Sequence, residues 1–267
     1  MESPKDEKPQ IESLEAFQKA AIENRKPEDG EGLLFEDIYE LKKPFEALLD
    51  QMRSKIDSGA YTLLVGDDVS GRIPTLIFRE FLRQMYEGTS QKVPEALFFS
   101  GHHGETDASF LNQNAEEVAH GIEKRYSGKG DILFITEAIQ TGRTLTQFEN
   151  AFAKLPIKHD VMTIGITGGR EKPLTVEEYF KMRNDLQKKF GTTIYSACNG
   201  APNIAYSPDS HPYEGVFNQS KSLHSTVSKN HRANPDHKEL FQAVVEESRK
   251  DVKLMATMLA EHYRKGA

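Results

Sequence analysis

The chain has 267 residues, 37% hydrophobic and 28% charged, with a formal net charge of −7. Its apolar runs span only a few residues, against the roughly 20 that a membrane helix needs, and a lone cysteine, Cys198, excludes an intramolecular disulfide or a cysteine-built metal site. The opening MESPKDEKPQ has no apolar core of a secretory signal, and the acidic balance argues against nonspecific nucleic-acid binding, so the expectation is a soluble, cytoplasmic protein with no membrane partner.

Residues 1–57 read as an N-terminal extension and helix. Pro4, Pro9 and Pro27 break the charged beginning, while Ile11, Leu14, Phe17, Ala21 and Ile22 fall near helical spacing and predict a short docking helix. Leu34 to Ile56 is a stronger helical segment. Phe35, Ile38, Leu41, Phe45, Leu48, Leu49, Met52 and Ile56 mark its apolar face, and Pro44 is expected to kink or divide it.

Residues 58–200 change pattern and form the expected core. Short apolar runs at Tyr61–Val65, Ala96–Phe99, Ile132–Ile135, Val161–Ile166 and Thr193–Ala197 alternate with amphipathic stretches at Ile73–Tyr86, Ala115–Tyr126, Thr144–Lys154 and Val176–Phe190. Continuous rather than alternating hydrophobicity predicts strands buried on both faces. The fold class expected is therefore α/β, an open, mostly parallel sheet flanked by helices, with ligands beyond the carboxyl ends of the strands.

Residues 201–267 are expected to supply a cover and a last helix. The stretch 199–234 has no convincing period, and a loop of that length is functional or disordered. Tyr206, His211, Tyr213, Val216, Phe217 and Leu223 give it apolar anchors. Asn234 and Pro235 then read as a cap and first position of a helix whose buried face is Leu240, Phe241, Val244, Val245, Val252, Met255, Met258 and Leu259. That face predicts packing or a homodimer interface rather than ligand binding.

Two loops carry the chemistry. Ile132–Ile135 is followed by Thr136, Glu137, Ala138, Ile139, Gln140, Thr141, Gly142, Arg143 and Thr144, then by a helix. A strand, a turn through glycine and a helix N-terminus bind phosphate through backbone N–H groups and the helix dipole. Thr141 and Thr144 add hydroxyls, Arg143 a charge, and Glu137 an acceptor for sugar hydroxyls. The plainer alternative is an ordinary loop in which Thr141 or Thr144 caps the helix. The second loop follows Leu63–Gly66 and reads Asp67, Asp68, Val69, Ser70, Gly71, Arg72, Ile73, Pro74. Gly71 permits close backbone approach, Arg72 offers a planar fork to a pyrophosphate, and Asp67 and Asp68 are candidate Mg²⁺ ligands, or else simply solvated acids.

Together, ILFITEAIQTGRTL and LLVGDDVSGRIP resemble the phosphoribosyl-pyrophosphate (PRPP) loop and the pyrophosphate loop of the type I phosphoribosyltransferase family, at a family-like separation. The resemblance covers about residues 58–200. It implies that Thr141, Gly142, Arg143 and Thr144 cradle a 5′-phosphate and that Glu137 contacts the ribose. It likewise implies that Ser70, Gly71 and Arg72 meet the pyrophosphate. The implied reaction displaces pyrophosphate from C1 of the ribose with Mg²⁺, held by Asp67, Asp68 and Glu137, assisting departure. Residues 203–228, with Tyr206, Asp209, His211, Tyr213, His224 and Ser225, take the place of the family's variable base-binding hood.

The sequence departs from the family in two places. Thr136 stands where the family has the first of two adjacent acids, and Gln140 where some members carry a proton-accepting acid. An amide cannot be that base near neutral pH. Within Ser100–Asp107, His102 and His103 are candidates for a mobile catalytic loop, with His103 the candidate catalytic residue beside Glu137 and Arg72; solvated turn histidines are the alternative. Gly168–Arg170 and Asn199 would share the same sheet edge, and Cys198 reads as a small buried residue. Three activities fit: a Mg²⁺-dependent transferase using PRPP, a PRPP or nucleotide-binding regulator without turnover, and a nucleotide hydrolase or phosphorylase.

Overall fold

Five apolar runs become five strands: β1 (Tyr61–Asp67), β2 (Glu95–Phe99), β3 (Asp131–Ile139), β4 (His159–Ile166) and β5 (Thr193–Asn199). The computed structural model describes residues 32–67, 71–99, 119–126, 130–140, 142–152, 158–168, 174–199 and 238–266, with Glu15, Gln18 and Lys19 helical. The strands form one sheet in the order β2-β1-β3-β4-β5, and every neighbouring pair is parallel. The expected open α/β sheet is thus present and parallel throughout.

Side-chain alternation explains why the runs are apolar without interruption. Along β3, Ile132 and Phe134 pack on one face while Leu133 and Ile135 pack on the other. The helices are α1 (Glu36–Glu40), α2 (Lys42–Asp57), α3 (Arg72–Tyr86), α4 (119–126), α5 (Arg143–Phe152), α6 (Val176–Phe190) and α7 (Lys238–Lys265). Residues of α1, α2, α3 and α7 share a core with Leu133 and Ile135; residues of α4, α5 and α6 share the other with Ile132 and Phe134. On the second face Phe148 of α5 stacks on Phe134 with ring centres 4.1 Å apart, and Phe152 stacks on Phe148 at 4.0 Å. Offset aromatic stacking of this kind anchors a helix to a sheet more firmly than area alone.

Helices α1 and α7, far apart in sequence, meet on the first face. Helix α7 packs along α3 and α2. Its Tyr263 ring meets Phe81 edge-on at 5.5 Å, carries the Arg53 guanidinium at 4.1 Å, and donates its hydroxyl to Asp57 at 2.8 Å. One contact spans still more of the sequence. The fully buried Asp251 of α7 accepts the backbone N–H groups of Leu34 and Phe35, each at 2.8 Å, through one carboxylate oxygen. Phe35 is the N-cap of α1 and caps it with no side-chain hydrogen bond. A carboxylate from the opposite end of the chain therefore satisfies donors at a helix start, where acceptors and negative charge are both favoured.

At the amino-terminal edge of the sheet, Lys55 reaches Asp131 at 2.7 Å and Asp160 at 3.1 Å, and the Tyr61 hydroxyl donates to Asp160 at 2.9 Å. Burial works against the Lys55 charge, but its bonds to Asp131 and Asp160 outweigh that and raise its pKa. The sign follows: this staple is intact at neutral pH and is lost as pH rises through the raised value. Helix α6 shows its limits most plainly. Thr175 and Glu178 form a reciprocal capping box at its start, and Gly191 ends it at φ 66°.

Three expectations need correction. The segment from Leu34 to Ile56 does divide, but at Leu41; Pro44 sits in the first turn of α2, where a missing N–H costs nothing. β3 does not stop at Ile135. Thr136, Ala138 and Ile139 pair with Thr163, Gly165 and Ile166 of β4, so polar residues continue the ladder. β5 likewise runs on through Cys198 to Asn199. The Asn234–Pro235 helix start lies outside the described residues; Val252, Met255 and Leu259 are buried as expected.

Asp251→Ala removes two bonds to a charged group and should cost about 3 kcal/mol. The exposed Asp50→Ala should change stability by no more than about 0.5 kcal/mol. Urea unfolding of both variants measures this, and near-equal midpoints would show that Asp251 does not hold α7 to the start of α1.

Candidate functional site

The strand order locates a crevice. From β1 the chain crosses through α3 to β2 on one side, then returns to form β3 on the other side of β1. The connections leaving β1 and β3 therefore diverge, and an open α/β sheet binds ligands at such a switch point. Helices α3 and α5, which start just past these two strands, lie on opposite faces of the sheet. Their amino-terminal ends flank the seam, each bringing backbone N–H groups and the positive end of its dipole.

The turn after β1 is held tightly against β3. The Gly71 N–H donates to the Asp67 carbonyl at 2.9 Å, and the Thr75 hydroxyl donates to the Gly71 carbonyl at 2.7 Å. A Cβ at Gly71 would lie 2.3 Å from the Ile135 carbonyl oxygen and 2.7 Å from the Asp67 nitrogen. One at Gly66 would lie 2.5 Å from the Thr75 hydroxyl. At Gly71 the backbone, and at Gly66 the side chains of Thr75 and Phe98, occupy the space a side chain would need. Gly71 is also the N-cap of α3 and offers no side chain to cap it. Arg72 follows as the first residue of the helix, and its guanidinium lies 4.3 Å from the centre of the Phe98 ring on β2. That cation–π contact steers Arg72 toward the β2 side of the crevice.

The β3 side is more deeply set. Thr136 is 4% exposed and its hydroxyl lies 3.4 Å from Oδ2 of Asp67, the last residue of β1. Glu137 is 8% exposed and its carbonyl accepts the Thr163 hydroxyl at 3.2 Å. Gln140 is exposed just past the strand. Gly142 adopts φ 68°, a left-handed conformation that favours glycine, and its carbonyl accepts both the N–H and the hydroxyl of Thr146 at 2.8 Å. Arg143 is exposed and Thr144 half-buried at the start of α5.

The structure thus brings Asp67, Gly71, Arg72, Thr136, Glu137, Gln140, Gly142, Arg143 and Thr144 to one sheet edge. Asp68, Ser70, Thr141, His102 and His103 lie outside the described residues. Sequence reasoning missed three supporting residues: Phe98 beneath Arg72, Thr75 behind Gly71, and Thr163 behind Glu137. A threonine inside the apolar run Val161–Ile166 was the signal for the last.

Asp67 and Glu137 carry carboxylates at the ends of neighbouring strands. Among the described residues no three metal-binding side chains converge. One or two carboxylates without a closed cage is a donor set that suits Mg²⁺ when substrate phosphates and water complete its shell. No described helix is long and apolar enough to cross a membrane. No protein-family model matches the chain, and no curated protein is significantly similar to it.

Gly71→Ala forces a methyl into backbone and should destabilise the fold by about 3 kcal/mol. Gly121→Ala lies within helical α4, where a Cβ meets nothing within 4 Å, and should stabilise by up to about 1 kcal/mol. Thermal unfolding distinguishes them, and a neutral Gly71→Ala would show that α3 does not need its close approach to β3.

Proposed function

We propose that the chain is a phosphoribosyltransferase-like protein that binds PRPP at the β1/β3 switch point and transfers its phosphoribosyl group to an acceptor. One observation carries this reading: the two sequence loops that resemble the family's phosphate loops lie at adjacent strand ends, with helix starts converging from opposite faces. A ligand with phosphates at two separated places matches two such anion sites.

In this reading the left-handed Gly142 turn and the start of α5 hold the 5′-phosphate, with Arg143 and Thr144 alongside. Gly71 lets the start of α3 approach the pyrophosphate, and Arg72 supplies it with a planar cation. Glu137 and Asp67 lie between these ends, as oxygen acceptors for the sugar and as ligands for Mg²⁺. When bound, Mg²⁺ neutralises charge on the departing pyrophosphate. Developing positive charge on the ribose is favoured by the same carboxylates.

A second reading, a PRPP-binding regulator without turnover, rests on Thr136 and Gln140. Thr136 places a hydroxyl where an acid is expected, and Gln140 cannot accept a proton from an incoming base. Pyrophosphate release in an acceptor screen separates the two.

Calorimetric titration with PRPP, with and without Mg²⁺, should show metal-dependent micromolar binding. Ribose 5-phosphate, pyrophosphate and AMP serve as comparisons, and failure to bind any of them overturns the proposal. Arg72→Ala should weaken pyrophosphate about tenfold, or ~1.4 kcal/mol, while leaving ribose 5-phosphate within about twofold. Equal losses for both would remove Arg72 from the pyrophosphate end.

A further inference from the structure

We infer that Gln51 and Tyr179 guard the β5 edge of the sheet, so that a second copy of the chain does not add its own strand there. The inference is independent of the proposed ligand. Among the described strands β2 and β5 are the two edges, and an edge strand carries backbone groups that template pairing with another chain. β2 has only five residues, and short edges pair weakly. β5 has seven, from Thr193 to Asn199, and Ser196 is its central residue. Unguarded, two copies would join β5 to β5 about a two-fold axis and continue one sheet through both molecules.

The Ser196 carbonyl is reached from both helical layers. Nε2 of Gln51, on α2, lies 3.1 Å from its oxygen, and the Tyr179 hydroxyl, on α6, lies 3.2 Å from it. A carbonyl oxygen has two lone pairs, and atoms at these two positions fill the space in which an incoming N–H would stand. Both guards are themselves held. The Gln51 amide also donates to the Ala47 carbonyl one turn back, at 3.1 Å. Tyr179 is 7% exposed, and its ring meets Phe180 edge-on at 5.1 Å. Closing the central position leaves three residues of β5 on either side, fewer than the roughly five of an ordinary strand.

The test compares self-association of the full chain by sedimentation velocity. Gln51→Ala combined with Tyr179→Phe keeps helix and ring while removing both donors. It should lower the concentration at which the chain self-associates by at least about tenfold, the scale of one or two backbone bonds gained. Amide exchange along β5 should slow in the associated form. Gln84→Ala combined with Tyr86→Phe is the matched control. It makes the same substitutions on α3, removing the Gln84 bond to Thr257 and the Tyr86 bond to Ile56, and should associate as wild type does. A folded Gln51→Ala/Tyr179→Phe variant that associates no more than wild type would overturn the inference. So would equal association of the two double variants, or association that leaves β5 exchange unchanged. Unfolding midpoints establish that each variant is folded. Gln51→Met, at an exposed position, repeats the test on one donor with an expected shift of about threefold, and no shift counts equally against the guard.

Discussion

A parallel strand covered on both faces has only its ends at which to present polar chemistry, and this constraint organises the molecule. β3 is the clearest case. Ile132, Leu133, Phe134 and Ile135 are all fully buried, two against each helical layer. The same strand then continues through Thr136 and Glu137, which stay in the β4 ladder or bond to it. Polar residues this deep must have their hydrogen bonds supplied by neighbouring strands, and they do: Thr163 bonds the Glu137 carbonyl, and Asp67 accepts from Thr136. The candidate site is the place where the apolar sandwich runs out.

Close packing at the crevice depends on residues with no side chain. Gly66 and Gly71 lie where a Cβ would collide with Thr75 and with the β3 backbone. With them, the start of α3 descends onto the β1/β3 seam; with any larger residue it would stand away from it. On the other face Gly142 uses its left-handed φ to turn β3 into α5. The two turns solve the same problem by different means, one by close approach and the other by conformation. Residues far outside the crevice support this arrangement. Asp251 closes α7 onto the start of α1, and the layer so formed backs β1 and β3 from behind.

Much of the fold was legible because burial on both faces leaves a plain mark. Continuous runs such as Ile132–Ile135, separated by amphipathic stretches of helical length, carry the strand and helix order directly. Helix α6 was legible to the residue, since Val176–Phe190 is bracketed by a capping box and a left-handed glycine. The polar tail of β3 was not. Thr136 and Glu137 resemble loop residues by composition, and only their pairing with β4 keeps them in the strand. The break at Leu41 was hidden behind the more conspicuous Pro44. Contacts between distant positions, such as Asp251 with Phe35 or Asp67 with Thr136, leave no local periodicity at all.

The Asp67–Thr136 contact also bears on why a hydroxyl stands at position 136. Two carboxylates at the end of one buried seam repel each other, and one of them must hold a proton unless a cation neutralises the pair. A hydroxyl beside a single carboxylate carries no such penalty, and it donates a hydrogen bond that an ionised acid cannot give. Thr136 is 4% exposed, so desolvation would magnify the repulsion there. The strand end therefore places a hydroxyl 3.4 Å from the Asp67 carboxylate, where a second acid would face it.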